Sequence, residues 1–580
     1  MKNTFPLLYF LFFTAFSFAQ TVQIEEPLII TPTQRVYVST SGNDNNSGDS
    51  LSPLASFAAA LNKLDQLTST ASGDVYTEVV VFSGSYSEVF RQPLNKYQIG
   101  TKRLNVSLRG KGNVLLDGTG ITVNVGGGMI YLLGSNIYVR NIALKQSTEN
   151  GLRFGYNFSG TIINPHDILV DSVEVSEVAG HGILLGIGAL NANGSSVLIP
   201  RAKRFKVTNC HVHDAVNYNT AQSQWGSSIK FWNASQIQAM NNHVHDNSGE
   251  GINFDFCDSA DVSDNLLHDN YANIYLDKME YAHVHRNFIY NTSKNVSGIL
   301  TGLEAFTAFV TNHYIKDIYI ENNIILNTRG INLWMGIYSA IQNGIYSNIQ
   351  IRHNTIIGKQ FGTGAQVSIA HDIFLGQPVP NFSISNISID RNIITANADS
   401  LNNNRLFSAP LSPQPGLSTG YNLFSMNPGF GYNSSSDQIN ALLPVYFNPT
   451  QDINDLTPNT NLHPEFVMSV PNSIALSTDY FGVIRNLTNT NVGAIELNPT
   501  LSVSDNNYTS FKVFPNPCEQ EFLLEVGEQM LGKDYLIFDL SGKLLQSGQI
   551  NSTKNSIKAP EAAGVYLLAI DKKLIKLIRA

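Results

Sequence analysis

The sequence predicts an all-β fold in which most of the chain winds into a coil of stacked parallel strands, followed by a small separate β domain. Three observations support this prediction. Short strand-like segments recur through the middle of the chain, an Asn occupies the same corner in most of them, and the pattern changes after residue 498. Within each segment apolar and polar residues alternate with a period of two, which indicates strands rather than helices.

The recurring segments share a corner between two strand-like runs, and the corner positions are separated by 22 to 38 residues. Constant strands joined by loops of varying length are typical of a coil whose turns stack about 4.8 Å apart. Because Asn tolerates a left-handed backbone and its amide can bond the turns above and below, we expect a hydrogen-bonded ladder along the corner. The corner residues are Cys210, Asn242, Asn265, Asn287, Asn323, Asn354 and Asn392.

The first end of the coil is preceded by a helical segment. Residues 56–67 carry apolar side chains at helical spacing. A helix there would cover the first turn of the coil, whose strand edges would otherwise be exposed. We therefore predict an N-terminal helical cap.

The composition indicates a folded, acidic protein. Of 580 residues, 45 are Asp or Glu and 36 are Lys or Arg, giving a net charge of −9, and the 43% hydrophobic content excludes a disordered chain. The acidic balance argues against a nucleic-acid partner, which requires clustered Lys and Arg. Three cysteines cannot form a disulfide framework in so long a chain, so stability has to come from packing and strand pairing.

Residues 1–19 have the features of a secretory signal peptide. Lys2 precedes an apolar run over residues 7–13, and Ser17 and Ala19 supply small residues before a cut ahead of Gln20. No later stretch reaches the roughly eighteen apolar residues of a transmembrane helix. We expect a protein exported as a soluble monomer, without a transmembrane segment.

Several motifs resemble the right-handed parallel β-helix proteins of the pectate lyase superfamily. Residues 36–44, Pro53 and residues 79–88 resemble their N-terminal cap and first rungs, and residues 479–485 with 492–496 resemble their closing segment. The resemblance implies a right-handed parallel β-helix over residues 20–500. It does not select one reaction, because this fold carries lyases, hydrolases, epimerases and non-catalytic adhesins.

The last seventy residues or so have a different pattern. After a polar linker at 501–510, residues 511–580 predict a small antiparallel β-sandwich. Three motifs at 511–517, 536–543 and 563–570 resemble the sorting domain of the bacterial type IX secretion system. This resemblance implies that the secretion machinery is a partner and that the protein is released or displayed at the cell surface.

A second type of strand-like run also recurs, and in it an Ile points inward. Because side chains alternate along a strand, two residues of each run point outward, and on neighbouring coils they form two columns. Trp, Asp and Lys gather in these columns, which is unusual for a purely structural sheet face, so we predict a substrate groove there. The first column holds Leu184, Lys230, Asn253, Tyr275 and Asn332, and the second holds Gly186, Trp232, Asp255, Asp277 and Trp334.

Asp255 and Asp277 occupy one column a single turn apart, so we expect their carboxylates about 5 Å from each other. One hypothesis is a Ca²⁺ site that bridges to a uronate carboxylate, with Lys230 taking the α proton in a β-elimination. A second is a pair of catalytic carboxylates that hydrolyses a glycosidic bond with retention. A solvated structural pair is the third.

Other residues in and near the groove are candidates for substrate binding. Trp232 and Trp334 offer flat apolar faces on which a sugar ring can stack, although the indoles can equally cover loop surface. Asn253 and Tyr275 share the first column, and Arg286 is a local cation for a uronate. Gly180-His181-Gly182 resembles an element of the polygalacturonases, but their companion motifs are missing, so we predict no role for His181.

Histidines follow the corner on successive turns, with Tyr290 continuing one of their columns. Such imidazoles can form a stacked structural ladder, bind a metal ion, or act as acids and bases. In the last case His245 and His268 are the catalytic candidates. The set is His211, His213, His243, His245 and His268.

Together these features predict an exported carbohydrate-active enzyme that cleaves an extracellular polysaccharide. A lyase acting at a uronic acid is our first hypothesis and a glycoside hydrolase our second. A non-catalytic adhesin or sugar-binding scaffold fits the same fold and the same export signals.

Overall fold

The computed structural model describes residues 24–158, 161–187, 201–216, 226–292, 296–303, 313–333, 344–358, 382–396, 416–424, 435–437, 478–485, 490–496 and, with short gaps, 512–579. The predicted signal peptide and linker lie outside these residues. The chain divides into two units, Met1–Leu497 and Asn498–Ala580, each described here by itself. None of the helices in the described part of the chain is long and apolar enough to cross a bilayer.

The first unit is the predicted right-handed parallel β-helix. Each complete coil contributes two strands, one on either side of the Asn corner, to a long sheet of 22 strands and a third strand to a short sheet of nine strands. The inward side chains of both sheets form one continuous apolar core that runs along the axis of the coil.

The strand bounds follow. The long sheet contains β1 (Gln34–Val38), β2 (Val75–Tyr86), β4 (Gln98–Ile99), β5 (Lys102–Asp117), β7 (Ile137–Lys145), β11 (His166–Ser176), β13 (Ala202–Thr208), β14 (His211–His213), β16 (Ala234–Met240), β17 (His243–His245), β19 (Asp258–Ser263), β20 (Leu266–His268), β22 (Glu280–His285), β23 (Phe288–Tyr290), β25 (His313–Glu321), β26 (Ile324–Leu326), β28 (Gly344–Arg352), β29 (Thr355–Gly358), β30 (Phe382–Asp390), β31 (Ile393–Ala396), β32 (Leu417–Gly420) and β33 (Leu423–Phe424). The short sheet contains β3 (Phe90–Arg91), β6 (Gly128–Leu132), β8 (Asn150–Phe154), β12 (Ile183–Gly186), β15 (Ser227–Trp232), β18 (Glu250–Asp255), β21 (Ile274–Asp277), β24 (Ile299–Gly302) and β27 (Ile331–Leu333). Strands β9 (Tyr156–Phe158) and β10 (Thr161–Ile163) form a separate hairpin.

The corner asparagines form the predicted ladder. Each amide nitrogen donates to the amide oxygen of the Asn one coil further on, as in Asn287 to Asn323 and Asn323 to Asn354, both at 3.0 Å. The ladder begins where the backbone N–H of Cys210 donates to Asn242, and it extends beyond the predicted set to Asn422. These side chains are buried, so the ladder satisfies polar groups that water does not reach.

One expectation about this corner was wrong. The left-handed residue is the one before the ladder Asn: Asp264, Arg286 and Asn322 have φ values of 58°, 51° and 55°. The described ladder asparagines are not among the residues with positive φ. Their role is therefore set by the hydrogen bonds of the side chain rather than by tolerance of the backbone conformation.

We expect Asn323→Ala to lower the free energy of unfolding of the β-helix by about 3 kcal/mol, because three partner residues, Asn287, Val284 and Asn354, lose hydrogen bonds inside the protein. Asn323 accepts from the backbone N–H of Asn287 and donates to the carbonyl oxygen of Val284. Urea unfolding followed by circular dichroism measures the change. Asn45→Ala, at an exposed position in the N-terminal region, is the control and should change stability by less than about 0.5 kcal/mol. Equal stability of the two variants would contradict this account of the ladder.

The predicted cap helix is α1 (Phe57–Leu67), and a short second helix, α2 (Leu94–Tyr97), follows β3. The side chain of Ser56 accepts from the backbone N–H of Ala59, which caps the first turn of α1. Phe57, Leu61 and Leu64 belong to the same apolar core as the coil. The helix therefore closes the first end of the core from water.

The closing segment is held by a buried arginine. The Arg485 guanidinium is fully buried, bonds the Glu496 carboxylate at 3.1 Å and the side-chain oxygen of Asn322 at 2.7 Å, and also donates to the carbonyl oxygens of Gly493 and Ala494. Burial lowers the pKa of Arg485 to about 10, which leaves it charged at neutral pH. This one side chain fastens the closing segment to the coil.

The second unit is a pair of antiparallel sheets. One contains β34 (Lys512–Phe514), β35 (Glu521–Glu525) and β38 (Lys554–Lys558), and the other contains β36 (Asp534–Asp539), β37 (Leu544–Gln549), β39 (Gly564–Ile570) and β40 (Lys573–Arg579). A 3-10 helix spans Glu528–Met530. Phe522, Leu524, Ile537 and Leu568 lie in the core of this unit, in agreement with the predicted sandwich. All three cysteines of the chain are buried and free.

Candidate functional site

The outer face of the short sheet brings together most of the residues predicted to form the groove. In the register of β15, β18 and β21, Lys230 lies beside Asn253 and Asn253 beside Tyr275. In the next outward column, Trp232 lies beside Asp255 and Asp255 beside Asp277. The inward partners are Ile229, Ile252 and Ile274, which are fully buried in the core. We use the name short-sheet face for the outward residues of these two columns, which are Lys230, Trp232, Asn253, Asp255, Tyr275 and Asp277.

Lys230 is at the centre of the short-sheet face. Its ammonium nitrogen lies 3.5 Å from Oδ2 of Asp255 and 5.3 Å from the ring centroid of Trp232. The carboxylate and the negative face of the indole both attract this cation. The Lys230 and Asp255 side chains each retain 14% of their solvent exposure, so solvent screens this ion pair less than a surface pair.

The short-sheet face is more enclosed than the sequence predicted. Asn253 and Asp277 are only 3% and 4% exposed. Oδ1 of Asp255 is buried without a hydrogen-bond donor in the described part of the protein, and so is Oδ1 of Asn253. Buried acceptors of this kind are available to a ligand that brings its own donors or a cation. Gly302 leaves room for Tyr275, since a Cβ there would lie 2.3 Å from the Tyr275 hydroxyl.

Three residues upstream extend the first column and were missed by the sequence analysis. The register of β3, β6, β8 and β12 places Arg91, Tyr131 and Arg153 in line with Leu184, and so with Lys230. The Arg91 and Arg153 guanidinium carbons lie 5.8 and 5.6 Å from the Tyr131 ring centroid. The alternation of β8 could have identified Arg153, but the Gly-Ile pattern used to find the columns does not include β3 or β6.

His181, to which no role was assigned, also borders the short-sheet face. It is 8% exposed, and its Nδ1 accepts a hydrogen bond of 2.9 Å from the backbone N–H of Ser227. Burial, followed by the positive charges of Lys230 and Arg153, lowers the pKa of His181 to about 3. His181 is therefore neutral at physiological pH, and because Nδ1 accepts, its proton is on Nε2.

Three predicted site residues lie elsewhere, and a fourth cannot be placed. Arg286 lies at the Asn corner, where its Nε and Nη2 donate to the two carboxylate oxygens of Asp264 at 2.8 and 2.7 Å. His245 and His268 are on the long sheet, not on the short sheet with Lys230. The physical reason is the fold itself, because a corner separates the two sheets in every coil. Trp334 lies outside the described residues.

The histidines form the expected stack on the outer face of the long sheet. Rings one coil apart are nearly parallel, with centroid separations of 4.8 Å for His211 and His243 and 4.6 Å for His245 and His268. Tyr290 stacks on His268 at 4.6 Å. Burial, followed by the neighbouring rings His245 and His211, lowers the pKa of His243 to about 3. Burial also lowers the pKa of His211.

A cavity of about 670 Å³ opens on the long sheet rather than on the short-sheet face. Ser85, Asn113, Lys145 and Glu174 line it. Its lining holds one cation and one anion and no aromatic ring, so it lacks a platform for stacking a sugar. We therefore keep the short-sheet face as the candidate site.

Sequence and structure together define an exported parallel β-helix protein. The C-terminal unit can be named more closely: residues 512–579 match the family described as secretion system C-terminal sorting domain, so this unit is a member of that family. The predicted type IX sorting domain directs the chain to secretion and the cell surface. No curated protein sequence matches the chain.

Solved structures similar to this chain include several β-helix proteins. A complex of XylC with xylose has 12% identity and a TM-score of 0.49, covering 80% of this chain and 98% of that one. The tailspike of E. coli bacteriophage HK620 has 10% identity and a TM-score of 0.41, covering 90% and 92%. Pectate lyase Pel9A has 12% identity and a TM-score of 0.29, covering 81% and 98%. At this level of similarity they carry no information about substrate or reaction.

Proposed function

We propose that the short-sheet face binds an acidic extracellular polysaccharide and cleaves it by β-elimination at a uronic acid. The observation that carries this proposal is the pairing of Lys230 with Asp255 at 3.5 Å on an outward face that also presents Arg153 and Trp232. Cations for a carboxylate, a carboxylate with an unbonded oxygen and an aromatic ring are the groups that a uronate lyase needs. Export by the sorting domain places the protein where such polymers occur.

The first step is recognition of the substrate carboxylate. Lys230 and Arg153 are two of the positive groups of the extended first column, and both of their charges act on His181, which carries its proton on Nε2. All three are donors, so an anion is the ligand that satisfies them together. Neutralising a uronate carboxylate makes its α proton more acidic, which is the activation that β-elimination requires. Donors fixed in place before substrate arrives contribute to catalysis as well as to binding.

The second step is proton transfer. Asp255 carries an oxygen without a hydrogen-bond donor among the described residues, whereas Lys230 is oriented toward the other oxygen of this carboxylate at 3.5 Å, so we assign proton acceptance to Asp255 rather than to Lys230 as first expected. Asp255 takes the α proton, the C–H electrons form the new double bond, and the glycosidic C–O bond breaks. We assign the protonation of the leaving oxygen to Asp277, one coil away, which would have to carry its proton before the reaction; transfer of the α proton from Asp255 to Asp277 would then restore both groups. The role of Trp232 is to stack on a neighbouring sugar ring, and Asn253 and Tyr275 line the same face.

A Ca²⁺ ion bound at Asp255 and Asp277 is an optional part of this proposal. The unbonded Oδ1 of Asp255 suits a hard cation. Two carboxylates do not complete a calcium shell, and within the described chain no cluster of three potential metal ligands includes Asp255 or Asp277. The polysaccharide and water would therefore have to supply the remaining oxygens. Such an ion would hold the substrate carboxylate against Asp255 and Asp277 and help to neutralise it.

The test is incubation of the full chain with a panel of uronic-acid polysaccharides and neutral ones. We expect ultraviolet absorbance from a new carbon–carbon double bond, with acidic substrates only, together with new reducing ends. Repeating the assay with EDTA and then with added Ca²⁺ tests the calcium addition. Absence of unsaturated product from every uronate polymer would overturn the lyase proposal.

A second candidate function is hydrolysis by the carboxylate pair. Asp255 and Asp277 are direct register partners on adjacent parallel strands, about 4.8 Å apart at the backbone. That spacing is close to the short carboxyl separation of retaining glycosidases. New reducing ends without unsaturated product would favour this function. Binding of a polysaccharide without any cleavage would indicate a scaffold or adhesin.

A further inference from the structure

We propose that the histidine cluster on the long sheet is a binding site for a divalent transition-metal ion of borderline softness, such as Zn²⁺. The cluster consists of His211, His243, His245 and His268 on strands β14, β17 and β20. This inference is independent of the proposed function, because the cluster lies on the other sheet from Lys230 and Asp255. A stacked structural ladder is the alternative that the experiment has to exclude.

The first argument is the convergence of ring nitrogens. Nε2 of His211 lies 2.8 Å from Nε2 of His245, and Nε2 of His243 lies 3.2 Å from Nε2 of His268. Ligand nitrogens of His211, His243 and His245 all lie within 4.8 Å of one another. In a tetrahedral site with Zn–N bonds of about 2.0–2.1 Å, ligand nitrogens are about 3.4 Å apart. Small rotations of the rings therefore suffice to admit an ion.

The second argument is the direction of the lone pairs. Nδ1 of His245 lies 2.7 Å from the Asp246 carboxylate, and Nδ1 of His268 lies 3.1 Å from that of Asp269. A carboxylate accepts, so in the neutral rings each of these Nδ1 atoms carries the proton and each Nε2 presents a lone pair. Carboxylate–histidine pairs of this kind orient ligands in many metal sites. The lone pairs of His245 and His268 thus point at His211 and His243.

The third argument is the state of the remaining two rings. Without an ion, the short contacts require His211 and His243 to donate from Nε2 to these lone pairs. Binding of an ion would require these two neutral rings to change tautomer, with the proton moving from Nε2 to Nδ1 of the same ring so that Nε2 presents a lone pair to the metal. The side chains of His245 and His268 keep 16% and 13% of their exposure, which leaves a path from solvent. Imidazole nitrogen suits Zn²⁺ and excludes Ca²⁺, which prefers oxygen ligands.

The experiment is isothermal titration calorimetry of the untagged full chain, stripped with a chelator, against ZnCl₂ at neutral pH. We expect one Zn²⁺ per chain. His245→Gln and His268→Gln should each raise the Kd for Zn²⁺ by more than about 10-fold, and Asp246→Asn by about 10- to 100-fold. Titration with CaCl₂ should show no change between these variants and the parent chain.

His166→Gln is the matched control, since His166 is half-buried on the long sheet but belongs to none of the metal-ligand groups found among the described residues. Its Kd for Zn²⁺ should equal that of the parent. The parent chain binding Zn²⁺ no more tightly than His245→Gln would overturn the proposal in favour of a structural ladder. If His245→Gln does not fold, the visible absorption spectrum of the parent chain with added Co²⁺ tests the site instead. The d–d bands of nitrogen-ligated cobalt would support the site, and a spectrum like that of aqueous Co²⁺ would refute it.

Discussion

Replacing Asp255 by Asn is expected to lower kcat on a uronate polysaccharide by about 10³-fold, the usual scale for loss of a positioned base. The amide keeps the size of the carboxylate but cannot accept the α proton. The side chain lies outside the core and loses only its pairing with Lys230, so the protein should remain folded. Unsaturated product measured by ultraviolet absorbance gives kcat, and a thermal melt checks folding.

Lys230→Met separates the two roles assigned to the pair. Because Lys230 binds the substrate carboxylate in our proposal, this change should raise KM by about 10-fold or more and lower kcat less than Asp255→Asn does. The opposite order, with Lys230→Met inactive and Asp255→Asn nearly normal, would return the base to Lys230. Asp74→Asn serves as the control, since Asp74 is 39% exposed and its ion pair with Arg103 is long, at 3.7 Å.

Replacing Arg485 by Met is expected to destabilise the β-helix by about 3–5 kcal/mol, because it leaves a buried carboxylate without its cation. Glu496 is 2% exposed at its side chain, and the carbonyl oxygens of Gly493 and Ala494 lose a donor at the same time. Urea unfolding monitored by circular dichroism provides the measurement. The motif at residues 479–485 predicted that Arg485 belongs to the closing segment, and the structure shows that it bonds several different residues there and in the coil.

Arg103→Met is the matched comparison for this prediction. Arg103 is 55% exposed and its partner Asp74 is 39% exposed, so removing this surface pair should cost less than about 1 kcal/mol. A similar loss of stability in both variants would mean that the effect comes from replacing any arginine and not from the buried network. Intact stability of Arg485→Met would show that the closing segment contributes little to the coil.

The fold was predictable because its signals are local and repeated. Period-two alternation fixes which side chains point into the core, and an Asn recurring at one corner fixes where each coil bends. The outward columns followed from the same alternation, so Lys230 and Asn253, and Trp232 and Asp255, were correctly placed side by side. The sorting domain was predictable for a similar reason, since three motifs in order at the end of the chain were sufficient to recognise it.

The sequence by itself therefore determined the coil, its ladder and the pairing of neighbours within one sheet. Only the tertiary structure decided which of the predicted site residues lie on the same sheet. It places His245 and His268 on the long sheet, away from Lys230, and it pairs Arg286 with Asp264. It also decided protonation and enclosure: the neutral state of His181 and the burial of Asp277 depend on groups from other coils. The reason is that strand periodicity is set by adjacent residues, whereas burial and electrostatics sum over neighbours that loops of unequal length bring together.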